Sequence, residues 1–105
     1  MSQAKVLIVE DDAGLREALV DTLLLGGYQV IEADSGEQAM IKLSEQPVDI
    51  VVSDIQMGGM SGLSLLKNIK NKYPNLAILL MTAYATIDDA VQAMRDGATD
   101  YLSKP

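Results

Sequence analysis

Neither cysteine nor histidine occurs among the 105 residues. The first absence excludes disulfides and thiolate metal sites. The second excludes a histidine-ligated metal and a histidine general base. Only 8 Lys and Arg stand against 15 Asp and Glu, a net charge of −7. That shortage of cations argues against direct nucleic-acid binding, which needs clustered basic side chains on phosphates. No apolar run approaches the about 18 residues of a membrane helix, so no membrane span is expected. Met1-Ser2-Gln3-Ala4-Lys5 lacks the apolar core of a secretory signal, which makes the cytoplasm the expected location. The length suits one domain with one core.

Four apolar runs each end on a residue able to handle phosphate or a divalent cation. Val6-Leu7-Ile8-Val9 leads into Glu10-Asp11-Asp12, and Ile50-Val51-Val52 passes through Ser53 to Asp54. Ala77–Met81 ends at Thr82, and Tyr101-Leu102-Ser103 ends at Lys104-Pro105. Helix signals alternate with these runs, which predicts an α/β fold with a parallel sheet. Leu15, Ala18, Leu19, Thr22 and Leu23 share one face of a first helix stopped by Gly26-Gly27. Ser35-Gly36-Glu37-Gln38 reads as a capping box for a second helix that ends before Pro47. Ser61 caps a third carrying Leu63, Leu66 and Ile69, closed by Tyr73-Pro74. Thr86 and Asp89 open a fourth, with Ile87, Ala90, Val91, Met94 and Ala98 expected on its inner stripe and Gly97 at its end.

Val6–Val9, Ile50–Val52 and Ala77–Met81 are continuously apolar, as central strands covered on both faces are. Tyr28–Ala33 and Asp100–Ser103 mix polar and apolar residues, as edge strands do. Right-handed crossovers then favour a doubly wound five-stranded sheet of order 2-1-3-4-5, with the ligand crevice between the first and third strands. Asp11 and Asp54 leave those two strands and should meet there. Converging carboxylates suit Mg²⁺, which takes oxygen ligands and keeps several waters. Glu10, Asp11, Asp12 and Asp54 are the candidate acids, although Asp12 is equally placed to cap the first helix. Asp54 is the natural nucleophile, since a carboxylate can form an acyl phosphate. Lys104 supplies a point charge, and Thr82 a hydroxyl, for the transferred group.

The ordered set Val9-Glu10-Asp11-Asp12, Ser53-Asp54, Met57…Met60…Gly62, Met81-Thr82-Ala83 and Asp100–Pro105 resembles the receiver domain of bacterial two-component response regulators, over nearly the whole chain. The resemblance implies a flavodoxin-like receiver fold and a phosphorylation-dependent switch. Asp54 would accept a phosphoryl group from a histidine kinase or small phosphodonor, with Mg²⁺. Asp11 would bind the metal directly, Glu10 mostly through water, and Gln56 through its backbone carbonyl. Thr82 and Lys104 would contact the phosphoryl oxygens, helped by the Ala83 amide. Tyr101 matches the aromatic that turns inward when the threonine hydroxyl moves, and Lys104-Pro105 is similar to a bond that is cis in the family.

Leu15–Leu19, Leu23–Gly27, Met81–Ala85 and Ala90–Met94 with Gly97-Ala98 look like receivers of the NtrC class of sigma-54-dependent activators, above all flagellar-gene regulators. In that class ATPase and DNA-binding effector domains follow the receiver. Gly58, followed by Gly59, replaces the family's usual proline and is expected to loosen the loop that carries Gln56. The chain ends where the family continues into a fifth helix. The expectation is a receiver over residues 1–105 truncated before that helix, with an apolar strip exposed beside the first helix and a tendency to self-associate as a homodimer.

Other readings fit less well. A flavodoxin needs a Ser/Thr/Gly-rich phosphate loop where Glu10-Asp11-Asp12 stands. A haloacid-dehalogenase-like Mg²⁺-dependent phosphohydrolase needs Asp-x-Asp after its first strand and a longer chain. A degenerate receiver, acting only as a protein-interaction module, would not be expected to keep every phosphorylation residue.

Overall fold

The computed structural model describes residues 3–83 and 85–103. The readings of Lys104 and of its bond to Pro105 lie outside the described residues. Five strands and four helices alternate in the order β1 Lys5–Val9, α1 Ala13–Leu25, β2 Gln29–Ala33, α2 Gly36–Glu45, β3 Ile50–Asp54, α3 Gly62–Lys72, β4 Ala77–Thr82, α4 Ile87–Arg95 and β5 Asp100–Ser103. All strand pairs are parallel and the sheet order is β2-β1-β3-β4-β5, as the alternation of apolar and mixed strands predicts. Val9 lies opposite Ser53, and Asp54 opposite Met81, so β1, β3 and β4 end at nearly the same height.

Each helix begins on a side-chain cap. Asp12, Ser35, Ser61 and Thr86 accept from the backbone N–H groups of Leu15, Gln38, Ser64 and Asp89, satisfying donors that a first turn leaves unpaired. The reach back at α2 goes one residue further than in a capping box: Gln38 Oε1 accepts from Asp34 N–H at 2.7 Å. After α1, Gly27 adopts φ +88°, and the Tyr28 N–H bonds back to the Leu23 carbonyl.

Leu7, Val9, Val51, Ile78 and Leu80 project from one face of the sheet into a core closed by Ala39, Leu43, Leu65, Leu66, Ile69 and Ala93 of α2, α3 and α4. On the other face Val6 and Ile8 are buried, whereas Val52, Leu79 and Met81 are half-buried. Leu15, Leu19 and Leu23 of α1 are half-buried as expected, but Ala18 and Thr22 are exposed.

The inner stripe expected for α4 holds for Ala98, which is buried, and is corrected for its larger members. Ile87, Val91 and Met94 are 82%, 45% and 50% exposed, and the helix rests instead on fully buried Ala93, with Ala90 half-buried. This helix carries two apolar stripes. The small-residue stripe packs inward and lets the helix backbone lie close to the sheet, leaving the larger side chains outside.

Candidate functional site: an acidic pocket at the carboxyl edge of the sheet

Glu10 follows β1 directly and is only 1% exposed. Its backbone is fixed on both sides: its N–H donates to the Ala33 carbonyl at 3.1 Å, and its carbonyl accepts from the Arg16 guanidinium at 2.8 Å. Its carboxylate accepts from the Asp12 N–H at 3.2 Å. Asp54, the last residue of β3, is buried, and its Oδ1 accepts from the Gln56 N–H at 3.2 Å. Asp11 is exposed, and its Oδ2 accepts from the Gly58 N–H at 3.1 Å.

One oxygen each of Glu10, Asp11 and Asp54 lies within 4.8 Å of the others. Three carboxylates this close repel one another, and a shared cation relieves that repulsion. The donor set is all hard oxygen, with no nitrogen or sulfur ligand, which suits Mg²⁺ completed by water. These three residues could therefore hold a divalent cation.

Asp12, read as a further ligand, does not join this group. Its carboxylate Oδ1 takes the Leu15 N–H at 3.0 Å, because the helix start directly after it offers unpaired donors within reach.

Thr82 ends β4, is fully buried, and donates its hydroxyl to Gln56 Oε1. It lies one position beyond Met81, the partner of Asp54, so it leaves the sheet at the same carboxyl edge as Asp54. Ala83 follows, exposed. Tyr101 sits opposite Leu80 on β5, half-buried against the core, and its hydroxyl accepts from the Thr86 N–H at 3.4 Å. The loop after β3 is thus tied to β4 through Gln56, and β5 is tied to the start of α4 through Tyr101.

Three contributions escaped the reading of the sequence. The Gln56 side chain, expected to act only through its backbone, engages Thr82. Glu37, in the first turn of α2, accepts from the Met60 N–H at 3.1 Å and holds the far end of the loop after β3. Arg16 anchors the Glu10 carbonyl and pairs with Glu32 at 3.3 Å. A lone arginine one turn into the helix that follows three acids is a signal for the last of these; the other two have none.

Gly62 completes the site from below. A Cβ there would lie 2.2 Å from the Asp54 carbonyl oxygen, so α3 can start beneath the end of β3 only with glycine at this position.

Among the described residues no helix is long and apolar enough to cross a membrane. The profile of the response regulator receiver domain family matches residues 6–105. Over 102 residues the chain is 56% identical to the response regulator protein FleR of Pseudomonas aeruginosa, covering 97% of this chain and 22% of that protein. It is 39% identical over 105 residues to the DNA-binding transcriptional regulator NtrC of Salmonella typhimurium, covering all of this chain and 22% of that one. The chain thus spans about a fifth of the length of these relatives. The response regulator protein TrrA of Thermotoga maritima, solved in complex with Mg²⁺ and BeF, superposes with a TM-score of 0.90 at 32% identity, over 98% of this chain and 88% of that one. A sheet of order 2-1-3-4-5, an acid cluster at its carboxyl edge and a family match along almost its full length make this chain a member of the response regulator receiver domain family.

Proposed function

We propose that the domain is a phosphorylation-dependent switch in which Asp54 accepts a phosphoryl group from a histidine kinase or a small phosphodonor. The observation that carries this reading is the convergence of Asp54 with Glu10 and Asp11 at the sheet edge where β4 ends on Thr82. An Asp54 carboxylate oxygen attacks the phosphorus of the donor phosphohistidine. The new O–P bond forms as the N–P bond breaks, and the departing imidazole nitrogen takes up a proton. Glu10, Asp11 and Asp54 would hold Mg²⁺, joined by the Gln56 carbonyl, and the bound ion would offset the charge of the incoming phosphoryl oxygens. The Thr82 hydroxyl, the Ala83 amide and Lys104 then stabilise those oxygens by hydrogen bonding and charge.

Turning toward the phosphoryl group takes the Thr82 hydroxyl away from Gln56. Space vacated beside β4 admits Tyr101, and the surface of α4 and β5 shifts between two arrangements. In a longer protein this surface would regulate ATPase and DNA-binding domains of a sigma-54-dependent activator, of flagellar genes given the likeness to FleR. The domain is then a switch in the cytoplasm rather than a turnover enzyme, its covalent chemistry limited to gain and loss of phosphate at Asp54.

Incubation with acetyl phosphate, with Mg²⁺ or with chelator, followed by intact mass, tests this. One phosphoryl group per chain, only with Mg²⁺, is expected. An unmodified chain under both conditions contradicts the switch and leaves a protein-interaction module.

A further inference from the structure

Gly58 stands in the loop after β3, and neither backbone conformation nor space explains a glycine there. The glycines with positive φ are Gly27, Gly59 and Gly97, and a Cβ built on Gly58 meets nothing within 4 Å. What Gly58 does contribute is its N–H, which donates to Asp11 Oδ2 at 3.1 Å across 47 residues of sequence. Any residue but proline could supply that donor. The loop is fixed on both sides of it: the Gln56 N–H bonds Asp54 and the Met60 N–H bonds Glu37. Gly58 therefore hangs between two anchored amides, with its N–H directed at the one exposed carboxylate of the acidic group.

We infer that the Gly58 N–H is a positioning donor for cation binding, occupying one oxygen of Asp11 and so orienting the carboxylate that meets Glu10 and Asp54. This rests on the cation reading above and goes further, because it assigns a role to a loop amide that touches no cation itself. Asp11 is exposed, and a bond at one of its oxygens narrows the range of its side-chain torsions. A hydrogen bond to one oxygen fixes the plane of the carboxylate, as outer-sphere partners of metal-ligating carboxylates do. The glycine thus tightens the metal site through its amide, the reverse of the loosening expected from its flexibility.

Mg²⁺ titration of the whole domain, followed by ¹H–¹⁵N chemical shifts, separates the two effects. Gly58→Ala keeps the N–H and loses the flexibility, whereas Gly58→Pro loses both. The expected result is an affinity within twofold of wild type for Gly58→Ala. For Gly58→Pro it is a loss of about tenfold, the low end for outer-sphere partners because both groups face solvent. Equal affinity in all three proteins, or equal change in both variants, overturns the inference. Proline also restricts Met57, so a second reading is taken on the unaltered chain. There the Gly58 amide should exchange with solvent more slowly than an unstructured glycine, with and without Mg²⁺, and exchange at the unstructured rate overturns the inference independently. A wild-type domain that binds no Mg²⁺ would instead remove the cation reading itself.

Discussion

The hydroxyl of Thr82, buried at the end of β4, donates to the side-chain carbonyl of Gln56, exposed in the loop after β3. The bond joins the two sheet-edge segments that flank Asp54. In the phosphorylated state the same hydroxyl would serve the phosphoryl oxygens, so the two uses exclude each other. That exclusivity would make Thr82 a two-position element rather than a passive contact.

Thr82→Ala should therefore accept phosphate at close to the wild-type level yet respond weakly to it. Its cost in stability should be about 1 kcal/mol, since the freed Gln56 oxygen is exposed and can be hydrated. Beryllofluoride-induced amide shifts over residues 86–97 report the response. Shifts as large as those of wild type would take Thr82 off the route to α4.

Gly62→Ala should be among the most damaging single-methyl changes in the domain. The added Cβ would sit 2.2 Å from the Asp54 carbonyl oxygen and 2.8 Å from the Ile55 Cα, and both are backbone atoms that cannot swing aside. Either α3 or the end of β3 must move. Overpacking of this kind costs about 1–3 kcal/mol or more. Urea unfolding gives the stability, and Asp54 phosphorylation should fall with it. A variant as stable as wild type would mean that the β3–α3 junction is looser than the close approach implies.

The orientation of α4 can be checked with one residue from each of its stripes. Ala93 is fully buried and Met94 is half exposed. Ala93→Leu should destabilise by about 1–3 kcal/mol, whereas Met94→Gln should stay within about 0.5 kcal/mol of wild type. The opposite ranking in thermal or urea unfolding would restore the stripe Ile87, Val91 and Met94 to the inside.

This last case shows where the sequence stops being legible. Strand order followed from local features: unbroken apolar runs at Val6–Val9, Ile50–Val52 and Ala77–Met81, and polar interruptions at Gln29, Glu32 and Asp100. Helix starts followed from Asp12, Ser35, Ser61 and Thr86, because a cap acts over three residues of chain. The meeting of Glu10, Asp11 and Asp54 followed from topology, since parallel strands send their ends to one edge. The facing of α4 did not follow, because periodicity identifies apolar stripes and packing distance chooses between them. Nor did the bonds from Thr82 to Gln56, Met60 to Glu37 and Gly58 to Asp11, which depend on how loops and rotamers meet across 23 to 47 residues. Asp12 marks the boundary, for two local roles were open to it and the nearer set of unpaired amides decided between them.

Whether Asp54 carries the phosphoryl group can be read by chemical trapping of the modified side chain. An aspartyl phosphate is an acyl phosphate, which borohydride reduces to the alcohol, converting the aspartate to homoserine with release of phosphate. After treatment with acetyl phosphate and Mg²⁺, reduction and peptide mass spectrometry should find homoserine at position 54 and nowhere else, and none when Mg²⁺ is withheld. Homoserine at position 11 or 12, or an unreduced position 54 in a chain whose intact mass shows a phosphoryl group, would contradict the account.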